Sequence, residues 1–430
     1  MPLKSIYELC VCTAIVLALI LIATIWHLGE RSMIACVFLG AFFIHTGSRP
    51  PRRHLFAAVL AGVCFAGAYT LLGGGLGTTV LVAVLGAGAF LGVGSLAVMS
   101  CYMVWTGSRT YRLVLRDAVM LPIFSLVAGL AMNWINGHAL PSYDYFLHAF
   151  DLTLGTPGRL VARWFQALPW LAASASVVYS SLLIFPPLYH AWALHRGVRS
   201  RMNLMKAFVV GGVCGFILYQ VCPAIGPLYV FKDRFPEHMP SLNEFTMQVF
   251  ASKSVHNAMP SMHMAWALLV WWTALGIGRL ATAIATGFVA LTALATLGFG
   301  EHYLIDLIVA VPLVILIEGI CSKRQKQIIA GAAVVLGWML FLRLGLTVHV
   351  PAAANWALVL ATLAMPLMPM TIEVVRRRTW QDGPGRLYAQ DARGTGCQPE
   401  GALRDRGARD SRTPSCVGAD QSPGLRHLPQ

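Results

Sequence analysis

Charge is what this chain has least of. Only 12% of its 430 residues are Asp, Glu, Lys or Arg, against 57% hydrophobic residues, too little polar surface for a soluble globule of this size. Lipid must therefore supply most of its solvation. Acidic residues are the scarcer sign, 18 against 32 basic ones. The basic residues sit in short clusters between apolar runs, without the aromatic-interleaved groove of a nucleic-acid binder, which excludes nucleic acid as a partner. No Gly-rich loop of the Walker or Rossmann kind is present, so no nucleotide cofactor is expected. The ten cysteines show no CxxC or metal-ligand spacing; most lie in apolar runs and read as small buried residues, with no metal implied. No soluble catalytic domain appears. The tail beyond Arg378, rich in Gly, Arg, Asp, Pro and Ser, lacks apolar periodicity and is predicted to be disordered.

What is there is a series of long apolar runs. About twelve have the roughly 20-residue length that spans a hydrocarbon core, some short or Gly-rich. Their centres fall near Leu17, Leu39, Val63, Gly88, Leu126, Val178, Gly215, Val270, Ala290, Leu313, Leu336 and Leu360. The first, over residues 7–27, follows a basic start as a signal peptide would, but its length favours a retained span. Lys4 precedes it, and basic clusters follow every second run: Arg49, Arg52 and Arg53; Arg109, Arg112 and Arg116; Arg196, Arg199, Arg201 and Lys206; Arg279; Lys323, Arg324 and Lys326; Arg376 to Arg378. Positive charge is retained on the cytoplasmic side. Both termini are therefore predicted to be cytoplasmic in a multi-pass cell-membrane protein, with two long loops, residues 138–169 and 222–262, facing outward. The fold class is an all-α polytopic transmembrane helix bundle.

Two polar stretches stand apart from this background. One is His256-Asn257-Ala258-Met259-Pro260-Ser261-Met262-His263 at the outer mouth of the eighth span; the other is Gly300-Glu301-His302-Tyr303-Leu304-Ile305-Asp306 at the outer mouth of the tenth. From His263 the chain crosses inward, turns near Arg279 and crosses back, so His302 returns to the face His263 left. His302 and Asp306 are four apart, on one helix face. A carboxylate so placed can hold one imidazole nitrogen and leave the other aimed at a substrate. Pro260 and Ser261 suit a helix start, where Ser261 can cap free amides and the helix terminus attracts phosphate. His263, in that first turn, is placed to protonate a departing alkoxide. A lone histidine at a membrane interface is more often a hydrogen-bonded or snorkelling residue, and His27, His45, His138, His148, His190, His195, His238 and His349 read that way. A carboxylate at the mouth of a span is costly and signals function; Glu318 instead reads as a packing residue.

The Pro260-Ser261-Met262-His263 stretch followed by His302-x-x-x-Asp306 resembles the second and third signature motifs of the type 2 phosphatidic acid phosphatase superfamily, most like its inositol phosphorylceramide synthase branch and bacterial relatives. The resemblance implies that His302 attacks phosphorus to form a phosphohistidine, that Asp306 orients it, that His263 is the acid and then the base, and that neither metal nor nucleotide takes part. The six-helix core implied maps to residues 109–322. Residues 1–108 and 323–378 are then additional spans and 379–430 a cytoplasmic tail. The sequence departs from the superfamily's phosphatases at two places. Thr296, preceded by Ala295, stands where they carry an arginine. Pro223-Ala224-Ile225-Gly226-Pro227-Leu228-Tyr229 stands where they carry a lysine and an Arg-Pro pair. A desolvated phosphate needs cationic or multiple hydrogen-bond partners. Lys232, Arg234, Lys253 and His256 are the available replacements, with Tyr229 a further donor; each reads equally well as an ordinary loop residue.

The function these features predict is a lipid phosphotransferase, with membrane lipids as donor and acceptor and the site on the extracytoplasmic face. A phosphodiester carries less charge than a monoester and needs fewer cations, which favours transfer over the alternative, a lipid phosphate phosphatase with water as acceptor. A transporter, suggested by the span count, would show repeated halves and midplane binding residues, and neither is visible.

Overall fold

The structure, a computed structural model, describes residues 31–71, 80–136, 140–198, 202–242, 244, 249–250 and 256–367. The predicted first span, Lys4, Lys253, Arg199, Arg201, Arg376 to Arg378 and the tail predicted to be disordered lie outside the described residues. The helices are α1 Arg31–Gly47, α2 Arg52–Leu71, α3 Val80–Thr106, α4 Arg109–Asn136, α5 Asp144–Thr153, α6 Pro157–Ala167, α7 Pro169–Ser180, α8 Phe185–His195, α9 Leu204–Val221, α10 Pro227–Phe231, α11 Met262–Ile277, α12 Arg279–Gly298, α13 Leu304–Ser322, α14 Gln325–Arg343 and α15 Ala352–Ala364. One antiparallel pair of two-residue strands, Leu140–Pro141 against Val249–Phe250, ties the two predicted outer loops together.

Helices dominate because a backbone surrounded by hydrocarbon must satisfy its own hydrogen bonds. Seven of these helices, α2, α3, α4, α9, α12, α13 and α14, are long and apolar enough to cross a membrane. The pair α7 and α8 passes the same test together, bent by 48° at the break between them, and α1, α11 and α15 are shorter apolar helices. Each predicted centre from Leu39 to Leu360 falls inside one of these elements. Large apolar side chains such as Phe56, Leu71, Trp105, Leu280 and Ile329 point outward, as a lipid-solvated surface requires.

The N-terminal helices pack by backbone approach. A methyl group at Gly92 would overlap the Phe38 carbonyl, and one at Gly94 would overlap that of Ala58, so small residues set how closely α3 meets α1 and α2. The helices carrying the site start and end differently. At the end remote from His302, Asp117 of α4 accepts from Asn203 at 2.9 Å and pairs with His190 of α8 at 3.1 Å, gathering the starts of α4 and α9. Glu318 is buried there and accepts from Ser322 at 3.0 Å, in keeping with a packing residue. At the other end, the predicted outer loop over residues 138–169 folds into α5 and α6, which brings Asp144 and Asp151 of that loop against the segments that carry the site.

Candidate active site

The two polar stretches meet. Ser261 N–H donates to the Asp306 carbonyl at 3.1 Å, so the start of α11 is stitched to the first turn of α13. The ring centroids of His263 and His302 lie 6.1 Å apart, inclined by 63°. Nucleophilic attack needs roughly 3–3.5 Å and a proton transfer roughly 2.6–3.2 Å. The two reaches add to about 6 Å, a length of the same order as the spacing of the rings.

His302 is held by more than the predicted carboxylate. Its Nδ1 lies 2.8 Å from the Ala258 carbonyl oxygen and 3.4 Å from Asp306 Oδ2. The Ala258 carbonyl can only accept, so Nδ1 carries the proton and Nε2 keeps its lone pair. Burial pushes this imidazole down to about 4, with Glu301 and the Ala258 carbonyl opposing, which leaves it neutral and nucleophilic near pH 7. Asp306 also accepts from the Tyr303 backbone at 2.8 Å, closing a capping box at the head of α13. Its role is thus shared between ring orientation and helix capping. The backbone N–H of His302 donates to the Thr296 carbonyl at 3.1 Å. Thr296 itself is fully buried, its hydroxyl turned onto the Thr292 and Ala293 carbonyls.

The two helix starts at the site differ in what their amides do. In α13 the first-turn donors are taken: Leu304 N–H faces both Asp151 carboxyl oxygens at 3.1 Å, Ile305 N–H faces the same carboxyl, and Tyr303 N–H is held by Asp306. In α11 the Ser261 hydroxyl caps Met264 N–H at 3.3 Å. The Met262 and His263 amides have no hydrogen-bond acceptor among the described residues. That open helix start is the one beside His263, where an anion is favoured by free amides and the helix dipole.

Other side chains complete the surround. Tyr179, near the bend between α7 and α8, stacks on His263 with centroids 4.2 Å apart and planes 12° apart. Glu301, half-buried, lies against the Tyr229 hydroxyl and beside His302; burial raises its carboxyl above the ordinary range. Of the predicted phosphate ligands, Ser261 is at the site as a cap and Tyr229 is beside Glu301, 40% exposed. Lys232 and Arg234 are exposed on the short turn after α10. His256 is buried, burial lowers its pKa, and neither ring nitrogen has a hydrogen-bond partner among the described residues; it is neutral rather than a cation. Lys253 is outside the described residues. On α6, Arg159 and Arg163 are engaged with Glu237. Among the described residues, no lysine or arginine pairs with His263, His302, Asp306 or Glu301.

Residues 146–320 match the PAP2 superfamily. No curated protein and no solved structure matches the chain. The PAP2 match runs from within α5 to near the end of α13, taking in His263, His302 and Asp306, and leaves α1 to α4, α14 and α15 outside it. It supports a membrane lipid enzyme of the phosphatase or phosphotransferase type. Sequence reasoning passed over Tyr179, the Ala258 carbonyl, Asp144 and Asp151. The two aspartates carried a usable signal, since acidic residues are rare here and these stand in an apolar run, Asp-Tyr-Phe-Leu-His-Ala-Phe-Asp. Tyr179 and Ala258 carried none, because a tyrosine in a span and a backbone carbonyl look like any other.

Proposed function

We propose that the protein is a lipid phosphotransferase that moves a phosphoryl-headgroup unit from a donor phospholipid to a lipid hydroxyl. The observation that supports this reading is the Nδ1 contact of His302 with Ala258, because it leaves Nε2 its lone pair on a ring whose centroid lies 6.1 Å from that of His263. In the first half-reaction the Nε2 lone pair forms an N–P bond while the P–O bond to the departing alkoxide breaks. His263, whose charged form is favoured once the anionic phosphate group lies beside it, gives that alkoxide its proton. In the second, neutral His263 takes the proton of an acceptor hydroxyl, whose oxygen displaces the histidine from phosphorus. The start of α11 supplies amides for the non-bridging oxygens. Such general acid and base help is worth roughly 10²–10⁴-fold.

The scarcity of paired cations favours a phosphodiester over a dianionic monoester, and so transfer over hydrolysis. The substrate class argued is that of inositol phosphorylceramide synthases, a headgroup phosphodiester and a ceramide-like or diacylglycerol acceptor. The site belongs to the extracytoplasmic leaflet in this reading, since the basic residues Arg116, Lys206, Arg279 and Lys323 mark helix ends remote from His302. Purified full-length protein given a headgroup-labelled phospholipid, with and without lipid acceptor, tests the proposal. Labelled product should form only with acceptor; release of water-soluble label at the same rate in its absence would make the protein a hydrolase.

A further inference from the structure

Two carboxyls on one short helix reach two separate parts of the site. Asp144 and Asp151 are seven residues apart on α5, two turns along one face, and both are buried. Asp151 receives the Leu304 N–H on both oxygens at 3.1 Å, with the Ile305 amide beside it. Asp144 receives the Ile225 and Gly226 amides at 3.0 and 2.9 Å and the Ser142 hydroxyl. The segments they hold also touch each other. Leu228 N–H donates to the Gly300 carbonyl at 2.8 Å, and Gly226, at φ +91°, presses against the Glu301 carbonyl so closely that a side chain there would overlap it.

We propose that Asp144 and Asp151 are positioning residues: α5 is a brace whose two carboxyls fix the Ile225–Gly226 turn and the start of α13 against each other, and so hold His302 at its working distance from His263. The brace has its own support. Phe150 meets Trp338 and Phe341 of α14 edge to face at 5.6 and 6.5 Å, Asn355 of α15 donates to the Thr153 hydroxyl at 3.0 Å, and Phe146 packs under Gly345. All of these partners lie beyond residue 320, outside the PAP2 match. The two C-terminal helices α14 and α15 therefore have a role, which is to back the helix that sets the site's geometry. Among the described residues, neither carboxyl has a hydrogen bond to His263 or to the open start of α11, which separates this role from that of a residue touching substrate.

The effect on turnover rests on the proposed reaction, and a second readout does not. Asp151→Ala and Asp151→Asn are made in the full chain in lipid nanodiscs, alongside Asp144→Asn and His302→Ala. Turnover is measured as kcat and KM, and amide hydrogen exchange is followed for a peptide covering residues 302–308. Asp151→Ala should lower kcat by about 100-fold, the scale of a 1 Å misplacement, leave KM within about threefold, and speed exchange at Leu304 and Ile305. Asp151→Asn, which keeps one acceptor for the two amides, should recover most of the lost kcat and part of the protection. Normal kcat with unchanged exchange in the alanine variant overturns the brace, as does a loss of kcat without faster exchange. If the alanine variant does not fold, Asp144→Asn decides: it keeps one acceptor but gives the second amide a donor to face, so exchange at Ile225 or Gly226 should rise, and no change overturns the proposal. Should wild type show no turnover, or His302→Ala retain it, the reaction reading falls while the exchange arm still judges the brace.

Discussion

The imidazole of His263 lies flat on the phenol of Tyr179, ring centroids 4.2 Å apart and planes within 12°. The tyrosine comes from the bent α7–α8 pair, so the bend between those helices places an aromatic face against the His263 ring. Stacking restricts the ring to one plane and leaves its edge for a leaving group. Tyr179→Phe keeps the face and should keep kcat within about threefold, whereas Tyr179→Ala should lower it by about 10- to 100-fold, within the worth of general acid help. Steady-state turnover of the two variants checks this; equal losses in both would assign the effect to the hydroxyl.

His302→Asn is the sharper test of the nucleophile. The Asn amide can still donate to the Ala258 carbonyl, so the loop keeps its anchor while the attacking nitrogen is gone. Turnover should fall by at least about 10³-fold with the thermal midpoint little changed. A short-chain phospholipid should leave an acid-labile phosphorylated histidine on wild type and none on this variant.

The acid limb of the pH profile reports the same ring. Burial holds His302 at about 4, and only its neutral form attacks, so kcat/KM should climb as pH rises through that value and be level in this respect above about pH 5. The neighbouring Glu301 raises the His302 value by its charge. Glu301→Gln removes what remains of that charge at the limb, where the raised Glu301 carboxyl is itself largely protonated, and should move the limb only slightly to lower pH. A limb that moves up would show that Glu301 does not act on this ring in that sense.

Asp151 makes stability depend on pH. Burial, with Asp306 adding to it, raises its carboxyl from the ordinary 3.8 to about 8, the Leu304 and Ile305 amides opposing. A folded pKa above the unfolded one means the native state keeps a proton that the unfolded chain releases. The stabilisation is full below pH 3.8 and is lost as pH rises through about 8. The melting temperature of wild type should therefore drop relative to Asp151→Asn between pH 4 and 8; parallel curves for the two would contradict the raised value.

Gly226→Ala probes the contact between the two loops. With φ +91° and an added methyl only 2.2 Å from the Glu301 carbonyl oxygen, the turn cannot keep its place. Turnover should fall by about 100-fold or more, while Gly67→Ala, whose methyl meets nothing within 4 Å, should be silent.

The meeting of His263, His302 and Asp306 was legible in the sequence because its signals are local: a Pro-Ser start before His263, and a four-residue spacing from His302 to Asp306. A hairpin of two spans then had to return them to one face. The helix positions from Leu39 to Leu360 were legible for an equally simple reason, since an apolar run of that length has few ways to satisfy its backbone other than as a helix. The predicted phosphate ligands were harder, because a loop charge reads the same whether it faces a substrate or water. Lys232 and Arg234 are exposed, and His256 is buried without a charge.

Composition and spacing alone therefore determined that this chain is a membrane-solvated helix bundle with a His-His-Asp constellation at one mouth. Only the tertiary structure decided that a backbone carbonyl, Ala258, sets the tautomer of His302, that Tyr179 orients His263, and that Asp151 fills the start of α13 while the start of α11 stays open. The reason is that these are contacts between segments 44 to 153 residues apart. Partners at such distances leave no periodicity or motif in the chain, and burial and direction come into being only when the helices pack.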